Sequence, residues 1–159
     1  KSKLKIGPIM SKPVEIGRRV GFDFGDKRIG VATSDRESIL VSPHATILNN
    51  EKLVDKLLEI INEVKPIYIV VGDPKHLSGD ASAKSSDVAE FAILLKSIFK
   101  GPIYFVDERL TTTNSYAQMR QIGKSERESR HIIDQISAIN ILESALLNER
   151  SGAAIGRLL

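Results

Sequence analysis

A chain of 159 residues, 42% hydrophobic and 27% charged, can bury one core but not two comfortable ones. Without cysteine it has neither disulfides nor a thiolate metal site. No apolar run approaches the roughly 18 residues that a membrane span needs, and no signal-peptide pattern opens the sequence, so a soluble, cytoplasmic protein with no membrane partner is expected. The formal net charge of +3 is unevenly placed: residues 1–19 hold Lys1, Lys3, Lys5, Lys12, Arg18 and Arg19 against Glu15 alone, and residues 20–159 are net acidic. With Gly7, Pro8 and Pro13, residues 1–19 read as a flexible basic tail that either solubilises the chain or helps to hold a polyanion.

Residues 19–25 (RVGFDFG) alternate Val20, Phe22 and Phe24 with Gly21, Asp23 and Gly25, the period of a strand. Asp26, Lys27 and Arg28 form a short turn, residues 29–33 make a second strand, and a third lies near 39–41. Two short turns in succession predict an antiparallel meander. Residues 51–64 carry Leu53, Val54, Leu57, Leu58 and Ile61 at helical spacing. Pro66 stops that helix, and residues 67–71 (IYIVV) are apolar throughout, as a strand covered on both faces should be. After a loop rich in Gly, Ser and Asp, Ser85 or Ser86 caps a helix running to about residue 100. Gly101 and Pro102 end it, and residues 103–108 (IYFVDE) make a fifth strand. Helices follow over about 113–122, closed by Gly123, and about 129–148. This order predicts one α/β domain over residues 20–150, a five-stranded mixed sheet flanked by helices, with residues 151–159 as a C-terminal tail.

Three acids are hard to explain as structural residues. Asp23 shares a strand face with Gly21 and Gly25, which predicts open space beside a carboxylate; an unpaired buried charge there is expensive. Glu108 ends the fifth strand on the face of Tyr104 and Val106, and in open α/β sheets sites form beyond the C-terminal strand ends. Asp107 points the other way and reads as a solvated or structural acid. On the last helix, at about 100° per residue, one apolar stripe runs through Ile132, Ile136, Ile139, Leu142 and Leu146. Asp134 lies off that stripe and aligns with Ala138, Ile141 and Ala145, a second face whose small residues permit close approach to the sheet. Carboxylates without Cys or paired His select hard cations, Mg²⁺ or Mn²⁺, and His44, His76 and His131 lack zinc-ligand spacing.

Four segments, FDFGDKRIGVA (22–32), VVGDP (70–74), DERLTT (107–112) and IDQISA (133–138), together resemble the YqgF family. Those bacterial ribonuclease H-like proteins are described as Holliday-junction resolvases and pre-16S ribosomal RNA nucleases. Each motif is weakly specific; the four in this order, between about Val20 and Glu149, are strongly so. The resemblance puts the family's first acid on Asp23, its glutamate on Glu108 and its last-helix aspartate on Asp134, the residues reached above from placement alone. It implies a ribonuclease H-like sheet of order 3-2-1-4-5 and phosphodiester hydrolysis with two ions, Mg²⁺ or Mn²⁺, held by those three carboxylates. It also implies a nucleic-acid partner: precursor 16S rRNA, with ribosomal particles as partners, or alternatively four-way DNA. The family usually reads Gly-Leu-Pro where this chain has Gly72-Asp73-Pro74. Asp73 is expected to be a solvated loop residue, with a place beside the metals as the alternative.

Around such a centre Arg109 is a candidate phosphate clamp, and Lys27 and Arg28 are candidates to meet the nucleic-acid backbone. Lys124 and Arg127, with Arg120 and Arg130, suit a substrate-binding rim that Glu126 and Glu128 dilute. His131, three residues before Asp134, is a candidate proton donor to the leaving group. Rival readings are weaker. Residues 23–30 also fit the first phosphate motif of actin-like and sugar-kinase proteins, but 159 residues cannot supply their two large domains. The Gly79–Ser85 stretch imitates a P-loop but is one residue short and has Ala where the second Gly belongs. A non-catalytic RNA-binding module of ribosome assembly is a further alternative, opposed by the three intact acids. The sequence sets no oligomeric state, although a junction with two equivalent scissile sites would call for a two-fold dimer.

Overall fold

The computed structural model describes residues 14–74, 83–108 and 126–159. Strands β1 (Arg19–Asp23), β2 (Arg28–Ser34) and β3 (Val41–Leu48) come first, then helix α1 (Leu53–Val64), β4 (Tyr68–Asp73), helix α2 (Ala83–Ile98) and β5 (Ile103–Asp107). A long helix α3 (Glu126–Ser151) and a two-residue strand β6 (Arg157–Leu158) close the described chain. The helix expected over 113–122 lies outside the described residues. The strands form one mixed sheet of order β3-β2-β1-β4-β5-β6, with β1 antiparallel to β2 and parallel to β4. The five-strand order is the one that the family resemblance implies, and the antiparallel meander is the one that the two short turns predict. The sixth strand is an addition: Arg157 pairs with Phe105 in the ladder, sets its guanidinium 4.5 Å from that ring and reaches Asp73 at 3.1 Å.

Two cores follow from the strand alternation. Val20, Phe22, Ile69, Val71, Ile103 and Phe105 face α1 and α2, where Phe91 meets Phe22 and Phe24 at ring-centroid distances of 5.5 and 5.0 Å. Ala32, Tyr68, Val70 and Val106 face Ala138, Ile141, Leu142, Ala145 and Leu146 of α3. It is therefore the small-residue side of α3 that seats on the sheet. Added Cβ atoms show how closely: at Gly21 one would lie 2.9 Å from Cβ of Leu142 and 3.2 Å from the Ala138 carbonyl. The space beside Asp23 on its own strand is thus filled by α3, not open as expected.

The third strand is later and longer than the pattern predicts. Asp35 accepts hydrogen bonds at Oδ1 from the amides of Ile39 and Leu40, at 2.7 and 3.2 Å, which holds both residues, exposed, in a turn closed by Ser38 at φ 66°. Pro43 hides the strand that follows; it is tolerated because β3 is an edge strand, where a missing amide costs little. At the other end of β1, Arg18 and Arg19 leave the basic tail for the fold. Arg19 is fully buried; its Nη2 donates to Glu149 at 3.0 Å, its amide to Ser34 at 2.9 Å, and its Nη1 to the Gly17 carbonyl. Tyr68 donates to the other Glu149 oxygen at 2.8 Å.

Candidate nucleic-acid cleavage site

The ladder explains how the three acids come to one face of the sheet. Asp23 is paired across the sheet with Gly30 of β2, and Gly30 with Thr46 of β3. Gly72, one residue past the Phe22–Val71 pairing of β1 with β4, pairs with Val106 of β5. Asp23 therefore has a glycine on each neighbouring strand. At Gly30 an added Cβ would collide with the carbonyl of Asp134 and stand 3.1 Å from its Cβ, so this glycine admits the α3 backbone and carries Asp134 to the edge of the site. Gln135 fastens the same turn to β3, donating from Nε2 to Thr46 Oγ1 at 2.9 Å. At Gly72 an added Cβ would lie 2.7 Å from Cγ and 2.8 Å from Oε2 of Glu108. This second glycine is what lets Glu108, just past β5, lean toward β1.

The electrostatics match that crowding. Burial, then the charge of Glu108, and more weakly that of Asp134, push the Asp23 carboxyl up to about 8, against the opposing effect of Lys84. Burial likewise raises Glu108, with Lys84 opposing and Asp73 and Asp107 reinforcing. Lys84 is the residue that sequence reasoning missed. It lies in the first turn of α2, and α2 follows β4, so its start falls at the C-terminal strand ends; the same lysine was visible only as part of a failed P-loop match.

Other candidates are placed differently. Asp73 is no solvated loop residue: it is the last residue of β4, 7% exposed and ion-paired with Arg157 at 3.1 Å. By alternation it shares the Ile69 and Val71 face, away from α3. Lys27 is an exposed turn residue whose carbonyl accepts from the Asn49 amide at 2.9 Å. Arg28 is the first residue of β2, and its Nε lies 3.0 Å from Oδ2 of Asp134. Arg127 and His131 belong to the first turns of α3; Arg109 and Lys124 fall outside the described residues.

The donor chemistry fits a hard divalent cation: oxygen donors only, two of them disfavoured as anions in the absence of a cation. The arrangement is not closed. Among the described residues no three acidic or His side chains surround a common point, and Asp134 is turned to Arg28. Among the described residues, too, no helix is long and apolar enough to cross a membrane.

The RuvX family, described as "Holliday junction resolvase", matches residues 17–148. A protein of Streptomyces coelicolor named "Putative pre-16S rRNA nuclease" is 37% identical over 147 residues, covering 91% of this chain and 86% of its own. One of Cutibacterium acnes with the same name is 36% identical over 137 residues, covering 86% of each. Among solved structures, Thermus thermophilus RuvC in complex with a Holliday junction substrate superposes with a TM-score of 0.58 at 14% identity, over 90% of this chain and 99% of that one; this is a likeness of fold. With a family match over nearly its whole length and relatives above one-third identity, the chain belongs to the RuvX/YqgF family of ribonuclease H-like nucleases.

Proposed function

We propose that this nuclease hydrolyses phosphodiester bonds in the precursor of 16S ribosomal RNA, with Asp23, Glu108 and Asp134 as carboxylate ligands for Mg²⁺ or Mn²⁺. The observation that supports the reading is that three separate elements bring Asp23, Glu108 and Asp134 to one sheet face, where burial pushes the Asp23 carboxyl up to about 8 and raises Glu108 as well. Bound divalent ions supply a water deprotonated near neutral pH and stabilise the charge on the leaving oxygen. Asp23, between the other two, is suited to be the shared ligand, and Glu108 and Asp134 to flank it. Because Asp23 holds its proton up to about pH 8 in the metal-free protein, loading should release that proton. Lys84 then remains as a counter-charge at the rim. Lys27, Arg109, Lys124 and Arg127 are the phosphate-facing candidates, and His131 the candidate proton donor. The names of the relatives favour precursor 16S ribosomal RNA as substrate, and ribosomal particles are the proposed partner that would carry it.

A four-way DNA junction is the second reading, favoured by the family description. The test is a cleavage panel with purified protein and Mn²⁺ on single-stranded RNA, structured precursor RNA and a four-way junction. RNA cleavage in preference to the junction is expected; paired, symmetric incision of the junction with no RNA cleavage reverses the assignment. Asp23→Asn, Glu108→Gln and Asp134→Asn should each abolish cleavage, and full activity after exhaustive chelation would refute the metal reading.

A further inference from the structure

Two arginine–carboxylate pairs in this protein differ in kind. Arg19–Glu149 has side chains 0% and 15% exposed and shares its acid with Tyr68. Breaking such a pair strands a buried charge. Arg28–Asp134 has side chains 25% and 22% exposed, so either partner can turn to water when the contact opens, and the contact is worth little to the fold. Yet the main chain of Asp134 is held tightly, by Gly30 beneath it and Gln135 beside it. The backbone is fixed while, among the described residues, the carboxylate is held by a replaceable partner.

From this we infer that Arg28 is a built-in stand-in for the cation, a positioning residue that holds Asp134 away from Asp23 and Glu108 until a divalent ion displaces it. The inference rests on Asp134 being a metal ligand, as proposed above. Arg28 and Gly30 lie on the same face of β2, the face pressed by α3, so the guanidinium reaches Asp134 from the strand that neighbours Asp23. That geometry accounts for the absence of three converged acids among the described residues. It also leaves the Asp134 carboxylate with a partner of opposite charge when no ion is present. An ion must compete with Arg28 for Oδ2, so the affinity measured in the wild type is lower than that of the free carboxylate set.

Mn²⁺ titrations followed by calorimetry and by the free-ion EPR signal test this without relying on cleavage. Arg28→Gln should bind Mn²⁺ about two- to fivefold more tightly than wild type, the factor that a partly exposed ion pair is worth. Arg28→Lys should fall between them, and Lys27→Gln, which removes a neighbouring exposed charge, should leave the affinity unchanged. Thermal melts in chelator should show Arg28→Gln folded and close to wild type. If Arg28→Gln binds Mn²⁺ equally or more weakly, or if Lys27→Gln tightens binding as much, the stand-in role is wrong. Asp134→Asn separates the two levels: weakened Mn²⁺ binding upholds the metal reading whatever Arg28 does. Wild-type affinity in that variant overturns the reading and the stand-in with it.

Discussion

At Asp23, burial and the neighbouring carboxylates hold a proton up to about pH 8, whereas the unfolded chain loses it near 3.8. Between those values the folded metal-free protein binds more protons than the unfolded one, so the stabilisation is complete below the lower value and is lost as pH rises through the upper one. Glu108, also raised, acts in the same direction. In chelator, the denaturant midpoint should therefore fall between pH 5 and pH 8.5, with a limiting slope of about 1.4 kcal/mol per pH unit for each such group. Asp23→Asn should remove much of that slope; a wild-type midpoint independent of pH would contradict the burial argument. Asp134 behaves differently, because Arg28 partners it, and Asp134→Asn should cost no more than about 1 kcal/mol in chelator. The sequence identified all three acids as ill-placed for stability, and the structure upholds that for Asp23 and Glu108. The Arg28 contact was not legible, since the two residues are 106 positions apart and meet only once α3 has docked.

At the level of elements, α3 docks where glycines let it. Gly30→Ala would press a methyl group on the backbone of Asp134, which cannot rotate away, so helix and strand must separate; a cost of about 1–3 kcal/mol is expected. Gly72→Ala would meet side-chain atoms of Ile141 and Glu108 instead, which can move. Its stability loss should be smaller than that of Gly30→Ala, while Mn²⁺ affinity and cleavage should fall sharply because Glu108 is pushed aside. Denaturation curves beside metal titrations for both variants check the ordering. The helix wheel did foretell which face of α3 lies on the sheet, through Ala138, Ile141 and Ala145. It placed the flanking glycines in sequence, at Gly21 and Gly25, whereas those that shape the site flank Asp23 in space, at Gly30 and Gly72. Strand period reveals faces but not lateral neighbours, which depend on register. The third strand was misread for a related reason: Ile39 and Leu40 look like a strand by composition, and the Asp35 side chain, with the backbone hydrogen bond from the Asp35 amide to the Leu40 carbonyl, makes them a turn.

Across the whole molecule the sheet has two unlike ends. The C-terminal ends of β1 and β5 carry Asp23 and Glu108; the N-terminal ends of β1 and β4 carry Arg19 and Tyr68, joined to Glu149 of α3 in one hydrogen-bonded group. The residues gave the meander and the resemblance gave the strand order, but neither gave this group, because Arg18 and Arg19 look like the end of a basic tail and Glu149 falls just past the last predicted helix. Glu149→Ala should lower stability by about 3 kcal/mol by stranding both Arg19 and the Tyr68 hydroxyl, read from equilibrium denaturation, with Mn²⁺ affinity unchanged. From Arg19 to Asp23 is four residues of strand, about 13 Å, and among the described residues the two groups share no side chain. Sites so separated perturb a fold independently. The separation makes the protein mutationally modular: Asp23→Asn, by relieving strain at one end, should restore part of the melting temperature lost through Glu149→Ala at the other. The double variant should match the sum of the singles to within about 0.5 kcal/mol. A chain built this way can lose stability at one pole of its sheet without disturbing the chemistry at the other.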